Sequence, residues 1–118
     1  MYSLGGLYYS RGDYATAENR YNKYIYKFVD GKFSDAAFFY CADCELKIGA
    51  TEKSIMMNKN LIQTYPNSVY LYGAYRNLFT AYYNLENYSN ALATARTMLN
   101  KYPTQAAEDG VGRKVIDF

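Results

Sequence analysis

Cys41 and Cys44 are the only cysteines in this 118-residue chain, and they stand three residues apart. A Cys-x-x-Cys pair is half of many zinc sites and the core of many redox motifs. Both need a second half, and the sequence offers neither another cysteine pair nor a single histidine. Without histidine, nucleophilic dyads of the Ser-His or Cys-His type are excluded, and no phosphate-cradling glycine loop or metal-ligand spacing takes their place. Asp43 and Glu45 form the closest acidic pair, but side chains two apart on a helix face different ways. Arg11-Gly12-Asp13 spells an adhesion tripeptide, yet its glycine and aspartate already have a turn and a cap to make. The residues therefore predict no enzyme: no catalytic group, no cofactor and no metal, with Cys41 and Cys44 as buried or half-buried packing thiols.

The elements that carry these residues are set out by a repeat. Gly12, Gly49 and Glu86 stand 37 apart, as do Ala17, Ser54 and Ala91, and Tyr14, Thr51 and Tyr88. Tyr65-Pro66 returns as Tyr102-Pro103, and the same step carries Leu4 to Cys41 and Leu78, which places Cys41 on a core-facing register. A period in the thirties marks a solenoid, in which each unit buries its apolar face only against its neighbours.

Leu4-Gly5, Tyr8, Gly12-Asp13-Tyr14, Ala17 and Tyr21 fall at the spacing of a tetratricopeptide repeat, and the chain resembles that family over nearly its whole length. Glu86 and Phe79 depart from the pattern, standing where the family favours glycine and a small residue, and Val29 stands 37 before Pro66. The 37-residue step and the Tyr-Pro endings, Tyr65-Pro66-Asn67-Ser68 most of all, further resemble the variant in bacterial envelope proteins such as outer-membrane assembly lipoproteins and Tol-Pal coordination proteins. The resemblance implies an all-α, right-handed α-solenoid of three helix-turn-helix units, at about 1–31, 34–66 and 68–103, capped by a terminal helix over 104–117. It also implies a periplasmic or outer-membrane-associated location ahead of a cytoplasmic one.

Half of the residues are hydrophobic and a fifth are charged, enough to build a continuous core and to exclude disorder. Sixteen tyrosines and six phenylalanines, with no tryptophan, make aromatic surface the main packing material. Tyrosine suits half-buried positions, because its ring packs while its hydroxyl reaches water or a polar partner. A net charge of +2 from interspersed acids and bases gives no reason to expect nucleic acid. No apolar run approaches the roughly 20 residues that span a bilayer. The N-terminus has no signal-peptide pattern, and Met1 is read as entering a helix already under way, in a piece of a longer protein.

Helices are predicted over 2–11, 14–29, 34–48, 51–65, 68–84, 88–102 and 104–117. Asp13 and Asn87 are expected to cap the second and sixth, Ser34 or Asp35 the third, Asn67 or Ser68 the fifth, and Thr104 the last. Asp30-Gly31 and Pro66 break the chain between units. Glu45 stands where the other units have Tyr8 and Tyr82, so one inward position is polar. The last helix contains Gly110 and Gly112, each about 1 kcal/mol worse than alanine in a helix interior, and is expected to fray if the longer protein was cut there.

In such a stack the first helix of each pair lines the concave side. The 37-residue step then aligns Tyr2, Phe39, Arg76 and Arg113; Gly6, Asp43 and Thr80; and Tyr9, Leu46 and Tyr83. Two readings of these positions stand. Tyr2, Tyr9, Phe39, Asp43, Arg76, Thr80, Tyr83 and Arg113 line a groove for a protein or peptide segment, rings giving area and charges giving direction, or they pack between units. The Asn and Lys set of a carboxylate clamp is absent from these positions. The function expected is a non-catalytic interaction scaffold, with further repeats or domains of the same protein as neighbours. The alternatives are a glycan-binding envelope lipoprotein module, since tyrosine faces stack on sugars, and a helical sensor or regulatory part of a cytoplasmic multidomain protein.

Overall fold

The computed structural model describes residues 2–27 and 33–116, with side chains from Gly5 to Lys27 and from Phe33 to Lys114. Among the described residues the regular structure is all helical: α1 Tyr2–Ser10, α2 Tyr14–Lys27, α3 Ser34–Lys47, α4 Thr51–Thr64, α5 Leu71–Asn84, α6 Tyr88–Lys101, α7 Pro103–Glu108 and α8 Val111–Ile116. Each helix from α1 to α6 packs on the next, α3 also reaches α5, and α7 and α8 both lie against α6. Among the described residues no helix is long and apolar enough to cross a membrane.

The turns inside the three helix pairs are copies of one another. Gly12, Gly49 and Glu86 all adopt positive φ, at 79°, 86° and 59°. At each, this residue's N–H bonds back to the carbonyl three before it, and the next N–H to the carbonyl five before it. The pairs are Gly12 to Tyr9 with Asp13 to Tyr8, Gly49 to Leu46 with Ala50 to Glu45, and Glu86 to Tyr83 with Asn87 to Tyr82. That bonding is a Schellman motif, which satisfies the last carbonyls of the helix and needs a left-handed residue at its centre. Glycine takes that conformation freely; Glu86 takes it against a steric cost. Asp13 and Asn87 then cap the following helices, accepting from the N–H groups of Thr16 and Asn90.

The second departure from the repeat, Phe79, is offset across its helix pair. Gly5 is small because the Tyr21 ring lies over it: an added Cβ would come within 2.8 Å of that ring. One step along, the corresponding residues are Ala42 and Asn58, and one further they are Phe79 and Ala95, in one core cluster. Thus the large and small partners exchange helices along the repeat, with Tyr21 on a second helix and Phe79 on a first, while the space between helices stays filled. Volume-conserving exchanges of this kind are what a close-packed core tolerates best. The small residues the repeat sets on the second helices, Ala17, Ser54 and Ala91, are all fully buried.

Several boundaries differ from the sequence expectation. Ser34 and Asp35 do not cap α3; they are its first two residues, and its N-cap, Phe33, offers no side-chain bond. Asp35 instead accepts from the Ala36 N–H and from Ser68 Oγ, tying the α4–α5 linker to α3. Ser68 Oγ also accepts from the Tyr70 N–H, so the linker winds through turns and α5 starts at Leu71, later than Asn67 or Ser68. Thr104 is not a cap, because Pro103 already occupies the first helical position of α7, where its missing N–H costs nothing.

The terminal helix expected over 104–117 is two short helices. Gly110 turns left-handed at φ 67° and separates α7 from α8. The break lets Ala106 and Val111 both enter the core beside Leu78, Tyr82 and Met98, which one straight helix does not allow. Tyr72 secures the turn by donating to the Asp109 carboxylate and the Gln105 carbonyl. Phe28, Val29 and the expected break at Asp30-Gly31 lie outside the described residues.

Candidate functional site

The first-helix positions picked out by the repeat fall into two groups. At the α1–α3 side, Asp43 is buried at 8% exposure, and its Oδ2 accepts from both Tyr9 Oη at 2.5 Å and Lys47 Nζ at 2.6 Å. The Lys47 ammonium also sits over the Tyr9 and Tyr14 rings, 5.7 and 5.3 Å from their centroids. Tyr9 meets Tyr14 and Tyr40 edge-on. Burial, and then the bond to Asp43, raise the Tyr9 phenol well above its usual range, so it stays a neutral donor. Asp43 and Tyr9 thus satisfy each other.

Phe39 is buried as well. Its ring stacks on Tyr70 at 5.2 Å and covers Gly73, where an added Cβ would lie 2.6 Å from a ring carbon. This contact joins α3 to α5, and it gives Phe39 a packing role instead of a place on the surface.

The other group is open. Arg76 is exposed, the Thr80 hydroxyl donates to the Arg76 carbonyl at 3.0 Å, and Tyr83 is 47% exposed. Phe79 stacks along Tyr83, with Tyr88 edge-on to the same ring. Phe79, Thr80, Tyr83 and Lys114 line a cleft of about 290 Å³ between α5 and α8. Its floor is aromatic and its rim holds a hydroxyl and an ammonium.

Arg113 does not share that cleft. The repeat register, which assumed an unbroken last helix, aligns it with Arg76, but the left-handed turn at Gly110 reorients α8. Lys114 takes the place beside Thr80 and Tyr83, and Arg113 lines a separate depression with Leu99 and Glu108. The Tyr2 side chain lies outside the described residues. Sequence reasoning missed Lys114 for this reason. It also missed Lys47, although the four-residue spacing from Asp43 on one helix face was a signal for that ion pair.

The two thiols lie deeper. Cys41 and Cys44 are fully buried free cysteines. Burial pushes the Cys44 thiol up to about 12 and the Cys41 thiol higher still, with nearby carboxylates adding to both effects. Both are protonated at neutral pH, which makes them poor nucleophiles. The inward polar position, Glu45, is 3% exposed and faces Glu18 of α2. Burial first, and then the contact with Glu18, raise its carboxyl well above the usual glutamate range.

Compared with known proteins, the chain matches no family model and no curated protein.

Proposed function

We propose that this chain is a tetratricopeptide-like α-solenoid that acts as a non-catalytic interaction scaffold, and that it holds an extended protein segment in the cleft between α5 and α8. The observation that carries this reading is the open cleft of Thr80, Tyr83 and Lys114 on aromatic Phe79, with Arg76 exposed one turn before Thr80 on α5, beside equivalent positions that are closed. The three equivalent left-handed turns support the repeat architecture. Aromatic and arginine side chains are the usual anchors of such interfaces, and the Lys114 ammonium at the rim favours a segment carrying a carboxylate next to an apolar side chain. The resemblance of the Tyr65-Pro66-Asn67-Ser68 ending supports a place in a bacterial envelope assembly.

A peptide library displayed on phage and selected against the chain tests this, with affinities of the selected peptides measured by calorimetry. Tyr83→Ala or Arg76→Ala is expected to cost at least about 2 kcal/mol of binding where either is a hot spot. Lys59→Ala and Arg96→Ala, exposed on second helices, are expected to leave affinity unchanged. The opposite pattern moves the site to the second-helix face and defeats the proposal.

A further inference from the structure

Beneath the closed half of the first-helix row, Cys41 and Glu45 stand one turn apart on α3, and Glu18 faces them from α2. The Cys41 Sγ and one carboxylate oxygen from each glutamate lie within 4.8 Å of one another. Cys41 is fully buried and Glu45 is 3% exposed, while Glu18 is half-buried and closes the side toward solvent.

A buried carboxylate ordinarily collects hydrogen-bond donors. Glu45 does not: its Oε1 is out of water and, among the described residues, meets no N–H or O–H group. Its neighbour is the carboxylate of Glu18, an acceptor like itself, and the two hold together only with a positive centre between them. In the metal-free protein a shared proton supplies it, consistent with the raised proton affinity of Glu45. Lys53 of α4 is a cation whose charge reaches both Cys41 and Glu45, and Cys44 adds a second thiol on the same helix.

We infer that Glu18, Cys41 and Glu45 form a binding site for one thiophilic divalent cation of the zinc class, joining α2 to α3. The donor set decides the class. Calcium takes six to eight oxygens and magnesium an octahedron of oxygens, whereas a thiolate with two carboxylates suits zinc or cobalt. Zinc bonds of about 2.0 Å to oxygen and 2.3 Å to sulfur put donors roughly 3.5 Å apart in a tetrahedron. The donors now lie within 4.8 Å of one another, so binding requires them to draw closer, with solvent on the Glu18 side as the fourth ligand.

Binding balances as an exchange. The cation displaces the proton shared by the two carboxyls and the proton of the Cys41 thiol, so two protons leave for each ion bound, and no redox change occurs. A bound cation offsets the burial that keeps Cys41 protonated, as metals do for coordinating thiols. The sequence alone hides this site: Cys-x-x-Cys there calls for a second pair, and only the packing of α2 on α3 brings Glu18 to it.

The test is titration of the full chain, kept reduced with a phosphine, with cobalt(II). One equivalent is expected to produce a thiolate-to-cobalt charge-transfer band, which zinc then abolishes, with two protons released per zinc in weakly buffered solution. Cys41→Ser is expected to abolish the band, and Glu18→Gln, at a half-exposed position that leaves the core intact, to weaken zinc binding at least tenfold. The melting temperature of the wild type is expected to rise with zinc concentration. Absence of saturable binding, a band that persists in Cys41→Ser, or a Glu18→Gln affinity equal to wild type overturns the site.

Discussion

The two ends of the first-helix row start from equivalent positions of one repeat and finish with opposite surfaces. Around α1 and α3, Tyr9, Asp43 and Lys47 bond to one another and Phe39 is sealed onto Gly73. Around α5 and α8, Thr80 and Tyr83 border an open cleft. Thr80 is the repeat equivalent of Asp43, and Tyr83 that of Tyr9, so register alone does not decide whether a position is filled. What decides is the neighbour. Asp43 has a tyrosine in front of it and a lysine one turn on, whereas Thr80 satisfies its own hydroxyl on the carbonyl of Arg76. Polar groups that meet inside a protein close a surface; polar groups served by their own helix leave it open.

The largest expected effect is at the sealed end. Phe39→Ala removes a buried ring and is expected to cost about 3–5 kcal/mol of stability, read as a lower denaturant midpoint in urea, while peptides that bind at Tyr83 keep their affinity. A loss of binding without a loss of stability would make Phe39 a surface anchor and erase the contrast.

Next comes the exchanged pair. Ala95→Tyr alone overpacks the α5–α6 contact and is expected to cost about 1–3 kcal/mol. Phe79→Gly alone leaves a cavity. Together they reproduce the Gly5–Tyr21 arrangement, and a double-mutant cycle is expected to show a favourable coupling of at least about 1 kcal/mol. Strict additivity would show that the two side chains do not share one space.

Asp43→Ala strands the Tyr9 hydroxyl and the Lys47 ammonium. It is expected to cost about 1–3 kcal/mol and to bring the Tyr9 phenol back toward its ordinary range, read by ultraviolet pH titration.

Glu45 sharpens the same half through pH. Its proton affinity is higher folded than unfolded, so the folded state holds the extra proton. The stability this gives is full below the ordinary glutamate range of about 4.3 and is lost as pH rises above it toward the raised folded value. In chelator-treated protein, Glu45→Gln is expected to flatten that decline, and a wild-type stability that climbs over the same interval would reverse the sign.

The smallest effect belongs to the open end. Tyr83→Ala and Lys114→Ala are expected to change stability by no more than about 0.5 kcal/mol, measured by thermal unfolding.

The sequence by itself determined the rhythm of the protein. Turn residues 37 apart, the caps Asp13 and Asn87, and the small residues at 17, 54 and 91 are local requirements of helix ends and close helix contacts, legible wherever they occur. Even Glu86 was placed correctly as a turn, because the spacing outweighs the residue's own preference. What the sequence left undecided was every feature that depends on which groups meet across helices. The straight helix expected over 104–117 bends at Gly110, because packing Ala106 and Val111 into one core outweighs helical continuity. Arg113 and Lys114 exchange places as a result. Phe39 leaves the surface because Gly73 makes room for it. Glu45, read only as a polar interruption, gains its chemistry from Glu18, far away in the chain and adjacent once α2 packs on α3. Periodicity reports what each residue must do within its own helix, and only the tertiary structure supplies the partner that determines its charge, its exposure and its use.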